Sequence, residues 1–99
     1  MADDTAATGE LLPGVSVEPL SDETRKQFRV ADSVEGLVIT ELADTSPFQE
    51  SFRQGAVIEQ INRVPVKDLA SARKALRDGR NIALVYYRDV YRYVIFQVR

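Results

Sequence analysis

The residue types that carry most enzyme chemistry are absent from this chain or stand where they cannot cooperate. There is no histidine and no cysteine. That removes the usual general base, the commonest metal ligand, and every thiolate nucleophile or disulfide. A nucleophilic serine needs a base within hydrogen-bond reach, and no serine here stands in a Gly-x-Ser-x-Gly elbow. Carboxylate pairs occur at Asp3-Asp4 and Asp22-Glu23. The first lies in a polar leader and the second at a helix start, so both read as solvated surface rather than as an acid–base pair. No glycine-rich phosphate cradle and no calcium-loop spacing is present. The expectation is a chain with no catalytic residue, no metal and no cofactor of its own.

Two further clusters have the right types for binding. Tyr86, Tyr87, Tyr91 and Tyr93 interleave with Arg88 and Arg92, as in a stacking platform for single-stranded nucleic acid. Cross-strand aromatic pairing on a hairpin explains the same pattern. The net charge of −2 favours that reading, with no nucleic-acid partner. Arg73, Lys74, Arg77 and Arg80 form a basic edge near a helix end, read as a solvated face. No apolar run approaches the ~18 residues a membrane span requires, so no membrane insertion is expected.

The elements that must position these residues follow from local patterns. Residues 1–10 are polar and small, and are expected to be a disordered linker or leader. One domain fills residues 11–99, an ordinary domain length. Val15-Ser16-Val17-Glu18 alternates as a short strand does, ended by Pro19. Ser21 is placed to cap a short helix through Phe28. Gly36 to Leu42 reads as a buried strand. Ser46-Pro47 opens a second short helix, with Phe48 and Phe52 on one face and Gln54-Gly55 closing it. Ala56 to Ile61 is a strand whose broken alternation implies a bulge or burial on both faces. Asn62-Arg63 turns into a short edge strand holding Pro65.

Asp68 caps the clearest helix, running to Asp78, with Leu69, Ala72 and Leu76 repeating along one face and Gly79 ending it. The chain finishes as a hairpin turning at Arg88-Asp89. On its last strand Val94, Phe96 and Val98 alternate with Tyr93, Ile95 and Gln97, so one face can enter the core.

Three runs carry a resemblance. These are Gly36-Leu37-Val38-Ile39-Thr40, then Ser46-Pro47, then Gly55-Ala56-Val57-Ile58-Glu59-Gln60-Ile61-Asn62. At these spacings, followed by Val66-Lys67-Asp68-Leu69 into a helix and a strand pair, they resemble the PDZ domain of bacterial HtrA/Deg serine proteases. Leu12-Pro13-Gly14-Val15-Ser16-Val17 resembles the family's carboxylate-binding loop and first strand. The match spans nearly all of residues 11–99.

The resemblance implies an α+β, PDZ-like fold: a partly open antiparallel β-sandwich or barrel of five to six strands capped by two helices. It implies a non-catalytic module that binds extended or C-terminal peptides by strand addition, in a chain whose serine endopeptidase domain lies elsewhere. The alternative is a structural or oligomerisation domain of the same protease with a partly closed groove. The implied site is Leu12, Pro13, Gly14, Val15, Ser16 and Val17, with Leu69, Ala72, Arg73 and Leu76 from the helix. The implied partners are peptide or unfolded-protein segments and the other domains of the parent chain, in the periplasm or cell envelope, with this module the second and last of its kind. One departure matters. Pro13 stands where the family usually has a residue with an amide N–H, so one carboxylate donor is lost, and either capture is expected to weaken or the groove to serve internal strands.

Overall fold

The computed structural model of the chain describes residues 9–98. Most of the expected leader therefore lies outside the described residues. Its last two members, Gly9 and Glu10, are the start of a strand. In chain order the elements are β1 (Gly9–Leu12), β2 (Val15–Pro19), α1 (Asp22–Phe28), β3 (Leu37–Leu42), β4 (Val57–Ile61), β5 (Val64–Pro65), α2 (Leu69–Ala75), β6 (Gly79–Tyr87) and β7 (Val90–Val98). Among the described residues, six strands run β1-β2-β3-β4-β6-β7 across one antiparallel sheet, and β5 pairs β4 alone. The sheet thus has seven strands rather than the expected five to six, because β1 adds to the edge of β2. No helix among the described residues is long and apolar enough to cross a membrane.

Both helices start on reciprocal caps. Ser21 Oγ accepts from the Thr24 N–H at 3.2 Å while Thr24 Oγ1 accepts from the Ser21 N–H at 2.8 Å. Asp68 Oδ1 accepts from the Ser71 N–H at 2.8 Å and Ser71 Oγ accepts from the Asp68 N–H at 3.2 Å. Caps of this kind contribute ~1 kcal/mol each.

Two further sequence expectations are corrected, beside the strand count and the start of β1. Residues 46–53 form successive turns, not a helix. Ser46 Oγ does accept from the Phe48 N–H at 3.1 Å, but one α-type bond follows, Phe52 N–H to Phe48 C=O at 3.1 Å. A single turn does not recover the cost of helix nucleation. Its geometry still puts Phe48 and Phe52 on one side, both against Phe96, with ring centroids 6.0 and 5.3 Å away. The second correction concerns α2, which ends at Ala75 rather than at Asp78. Asn62 Nδ2 donates to the Ala75 carbonyl at 2.8 Å, and Asn81 holds both the N–H and the C=O of Arg77, at 3.0 and 2.9 Å. These side chains satisfy the backbone that another helical turn would have used.

The core has two parts. The larger gathers Leu12, Val15, Val17, Leu37, Ile39, Ile58, Ile61, Leu69, Ala72 and Phe96 among others. The smaller, towards α1, holds Val30, Val34, Val38, Val57 and Tyr86. Adjacent residues of β3 and β4 thus face opposite cores, and β4 also carries a bulge against β6 between Ile58 and Gln60. Both explain its broken alternation. On β7, Phe96 is buried and Val94 and Val98 half-buried, while Tyr93 and Ile95 face out. The turns at Asn62-Arg63 and Arg88-Asp89 have φ of 53° and 69°, and of 50° and 66°. Positive φ at both central residues matches the right-handed twist of hairpin strands.

Candidate functional site

Strand β2 is the centre of the site. One edge pairs with β3, from Val15 opposite Leu42 to Pro19 opposite Leu37. The other edge, where a peptide was expected to add, pairs antiparallel with β1, Gly9 opposite Val17, Glu10 opposite Ser16 and Leu12 opposite Val15. Leu11 is the residue left out of register, yet both leucines are buried. Helix α2 packs against β1 and β2 together.

Of the expected site residues, Leu12, Val15, Val17, Leu69, Ala72 and Leu76 share one cluster that β1 helps to fill, while Pro13 lies on the loop bonded to Ser46. Leu12, Val15, Val17, Leu69 and Ala72 are in the core, Leu76 and Ser16 are half-buried, and Pro13 and Arg73 are exposed. A Cβ at Gly9 would lie 3.1 Å from Leu69 Cδ2, so the strand backbone passes close against the helix. One turn further along α2, Arg73 Nη2 donates to the Glu10 carbonyl at 3.2 Å.

The loop between β1 and β2 is fixed on three sides. Ser46 Oγ donates to the Pro13 carbonyl at 2.7 Å, and the Ala43 N–H donates to the Gly14 carbonyl at 2.8 Å. Gly14 has φ of +78°, and a Cβ there would fall 2.6 Å from Ser46 Cβ. Only glycine fits both the conformation and the space. The Gly14 N–H donates to Glu10 Oε2 at 2.7 Å. A single backbone N–H donating to a carboxylate makes a charge-assisted hydrogen bond, and here the carboxylate belongs to the chain itself.

Glu10 joins the candidate site through its bonds to Gly14 and Arg73, and the sequence did not single it out because it ends a polar stretch. The signal was its neighbourhood: two leucines before Pro13-Gly14, then an alternating strand, is a hairpin pattern.

The other clusters resolve differently. Tyr86 and Tyr91 are register partners, rings edge-on with centroids 5.1 Å apart, and Tyr86 Oη donates to Asp89 Oδ1 at 2.9 Å. The bond to Asp89, then burial, hold the Tyr86 hydroxyl above its ordinary range. Burial, then the nearby Glu59 carboxylate, do the same for Tyr91. Arg88 lies over Tyr87, 5.2 Å from its ring centroid. The Tyr86–Tyr91, Tyr86–Asp89 and Arg88–Tyr87 contacts lie within the hairpin, and Glu59 reaches Tyr91 from β4. Of the basic edge, Arg73 is hydrogen-bonded to β1 through the Glu10 carbonyl. An open cleft of about 570 Å³ between Phe28 and the Arg88-Asp89 turn is remote from it. No protein-family model matches the chain, and no curated protein is significantly similar to it.

Proposed function

We propose that this chain is a non-catalytic, PDZ-like peptide-binding module that takes extended segments by strand addition along β2. In a parent protein of the HtrA/Deg kind it would regulate or tether substrate for a serine endopeptidase domain. One observation carries this reading: the Gly14 N–H holds a carboxylate at 2.7 Å, beside a strand that carries an extended segment next to α2. Backbone pairing supplies affinity in such sites, the carboxylate fixes register, and side chains of β2 and α2 select the ligand. The missing Pro13 N–H leaves Gly14 as the donor in use.

The second reading is a structural or assembly domain whose groove is closed. The pairing of β1 with β2, and the burial of Leu11 and Leu12, favour it. A titration of the ¹⁵N-labelled chain with peptides bearing free and amidated C-termini separates the two. Peptide binding predicts shifts at Gly14, Ser16, Val17, Leu69 and Ala72. No shift anywhere at millimolar peptide leaves the assembly role.

A further inference from the structure

The residues of β1 are held in two ways. Leu11 and Leu12 are anchored in the main core, at 8% and 3% exposure. Gly9 is half-buried and Glu10 exposed. Beyond their ladder with Ser16 and Val17, these two are held by polar contacts at the surface: Arg73 on the Glu10 carbonyl and Gly14 on the Glu10 carboxylate. Their backbone runs antiparallel to β2 against α2, as an added peptide would, and a side-chain carboxylate supplies the negative group.

We infer that Gly9 and Glu10 are an internal ligand of the groove, exchanged for an incoming segment whose carboxylate takes the Gly14 N–H from Glu10. This rests on the peptide-binding reading. The exchange is near balance by construction of the site. Each backbone or side-chain bond that Gly9 and Glu10 lose is remade with the incoming segment, and their released backbone regains conformational freedom. Tethering gives the internal segment an effective concentration in the millimolar range or above. Free peptides must therefore bind better than Gly9 and Glu10 do, or the tethered segment must be weakened.

The stand-in also defines what fits. The incoming segment carries a carboxylate within reach of Gly14. It offers a backbone carbonyl to Arg73. Opposite Val17 it has glycine or another small residue, since a Cβ at the Gly9 position already meets Leu69 at 3.1 Å.

The test uses a fluorescent peptide copying residues 5–12, made as free acid, as amide, and with its Glu replaced by Gln. Binding is followed by anisotropy to the full chain and to Glu10→Gln. The substitution weakens the internal competitor, so the free-acid peptide is expected to bind Glu10→Gln about three- to tenfold tighter than the unaltered chain. The Gly14 amide proton should move upfield in Glu10→Gln and return when that peptide is added. The Glu-to-Gln peptide with an amidated end should not restore it. The amidated peptide that keeps its Glu tells whether a side-chain carboxylate suffices or a chain terminus is required.

Equal affinity for both proteins would overturn the exchange and leave peptide binding standing. Tighter binding to the unaltered chain would also overturn it, making Glu10 part of the site. No binding to either would remove the peptide-binding reading and the exchange with it. If Glu10→Gln fails to fold, Glu10→Asp shortens the reach to Gly14 while keeping the charge, and the same ordering is expected.

Discussion

Gly14→Ala probes the loop on which the site depends. Two costs add. The residue sits at φ of +78°, and an L side chain in left-handed conformation costs about 1–2 kcal/mol. The new Cβ would also fall 2.6 Å from Ser46 Cβ and 3.2 Å from Ser46 Cα. Ser46 cannot swing away freely, because its hydroxyl is tied to Pro13 and to the Phe48 N–H. Overpacking of this kind costs about 1–3 kcal/mol, for a total near ~2–5 kcal/mol. Urea unfolding followed by tyrosine fluorescence measures it, since the chain has four tyrosines and no tryptophan. Repeating the substitution in a Ser46→Gly background removes the Cβ that is struck, and the cost of Gly14→Ala should fall towards the conformational ~1–2 kcal/mol. A loss below ~1 kcal/mol in the parent would refute the reasoning, as would an undiminished cost in the Ser46→Gly background.

Three other outcomes are expected. Asn81→Ala removes a buried amide that bonds Arg77, Gly79 and Asn62; orphaning several partners should cost about 3–4 kcal/mol in the same unfolding assay. Phe96→Ala should cost about 3–5 kcal/mol and its neighbour Ile95→Ala under about 1 kcal/mol, a contrast calorimetry reads directly and which inverts if β7 presents its other face to the core. Asp68 sits below the usual aspartate value of 3.8, chiefly through its bond from the Ser71 N–H. A lowered folded-state value contributes stability that is present above the unfolded value and lost as pH falls through the folded one. The stability gap between the unaltered chain and Asp68→Asn should therefore be flat above about pH 5 and shrink below about pH 4, as urea midpoints across that range will record.

What the sequence disclosed and what it concealed divide along physical lines. Ser21 and Asp68 were legible as caps because capping is settled within four residues. The two-residue turns were legible for the same reason, and so was the alternation of β7. The end of α2 was not, because Asn62 and Asn81 reach its carbonyls from distant strands. The turns at 46–53 imitate a helix start, but Ser46 spends its hydroxyl hydrogen on Pro13, thirty-three residues away. The apolar periodicity of Leu69 and Ala72 was legible, and both sit in the core with Val15 and Val17. The Pro13-Gly14 loop was not, because it is tied to Ala43 and Ser46 by contacts that no local pattern announces. Glu10 was hidden as well, since it gains its meaning only when Pro13-Gly14 folds it back onto β2.

Contacts between a bound peptide and β2 test the central claim most directly. With isotope-filtered NOE spectra on Glu10→Gln saturated with the peptide copying residues 5–12, the account predicts cross-peaks from the peptide backbone to Ser16 and Val17. It also predicts contacts from the peptide's glycine to Leu69, in antiparallel order. Cross-peaks confined to β7 or to the Tyr86–Tyr91 hairpin, or a complex with none to β2, would contradict it.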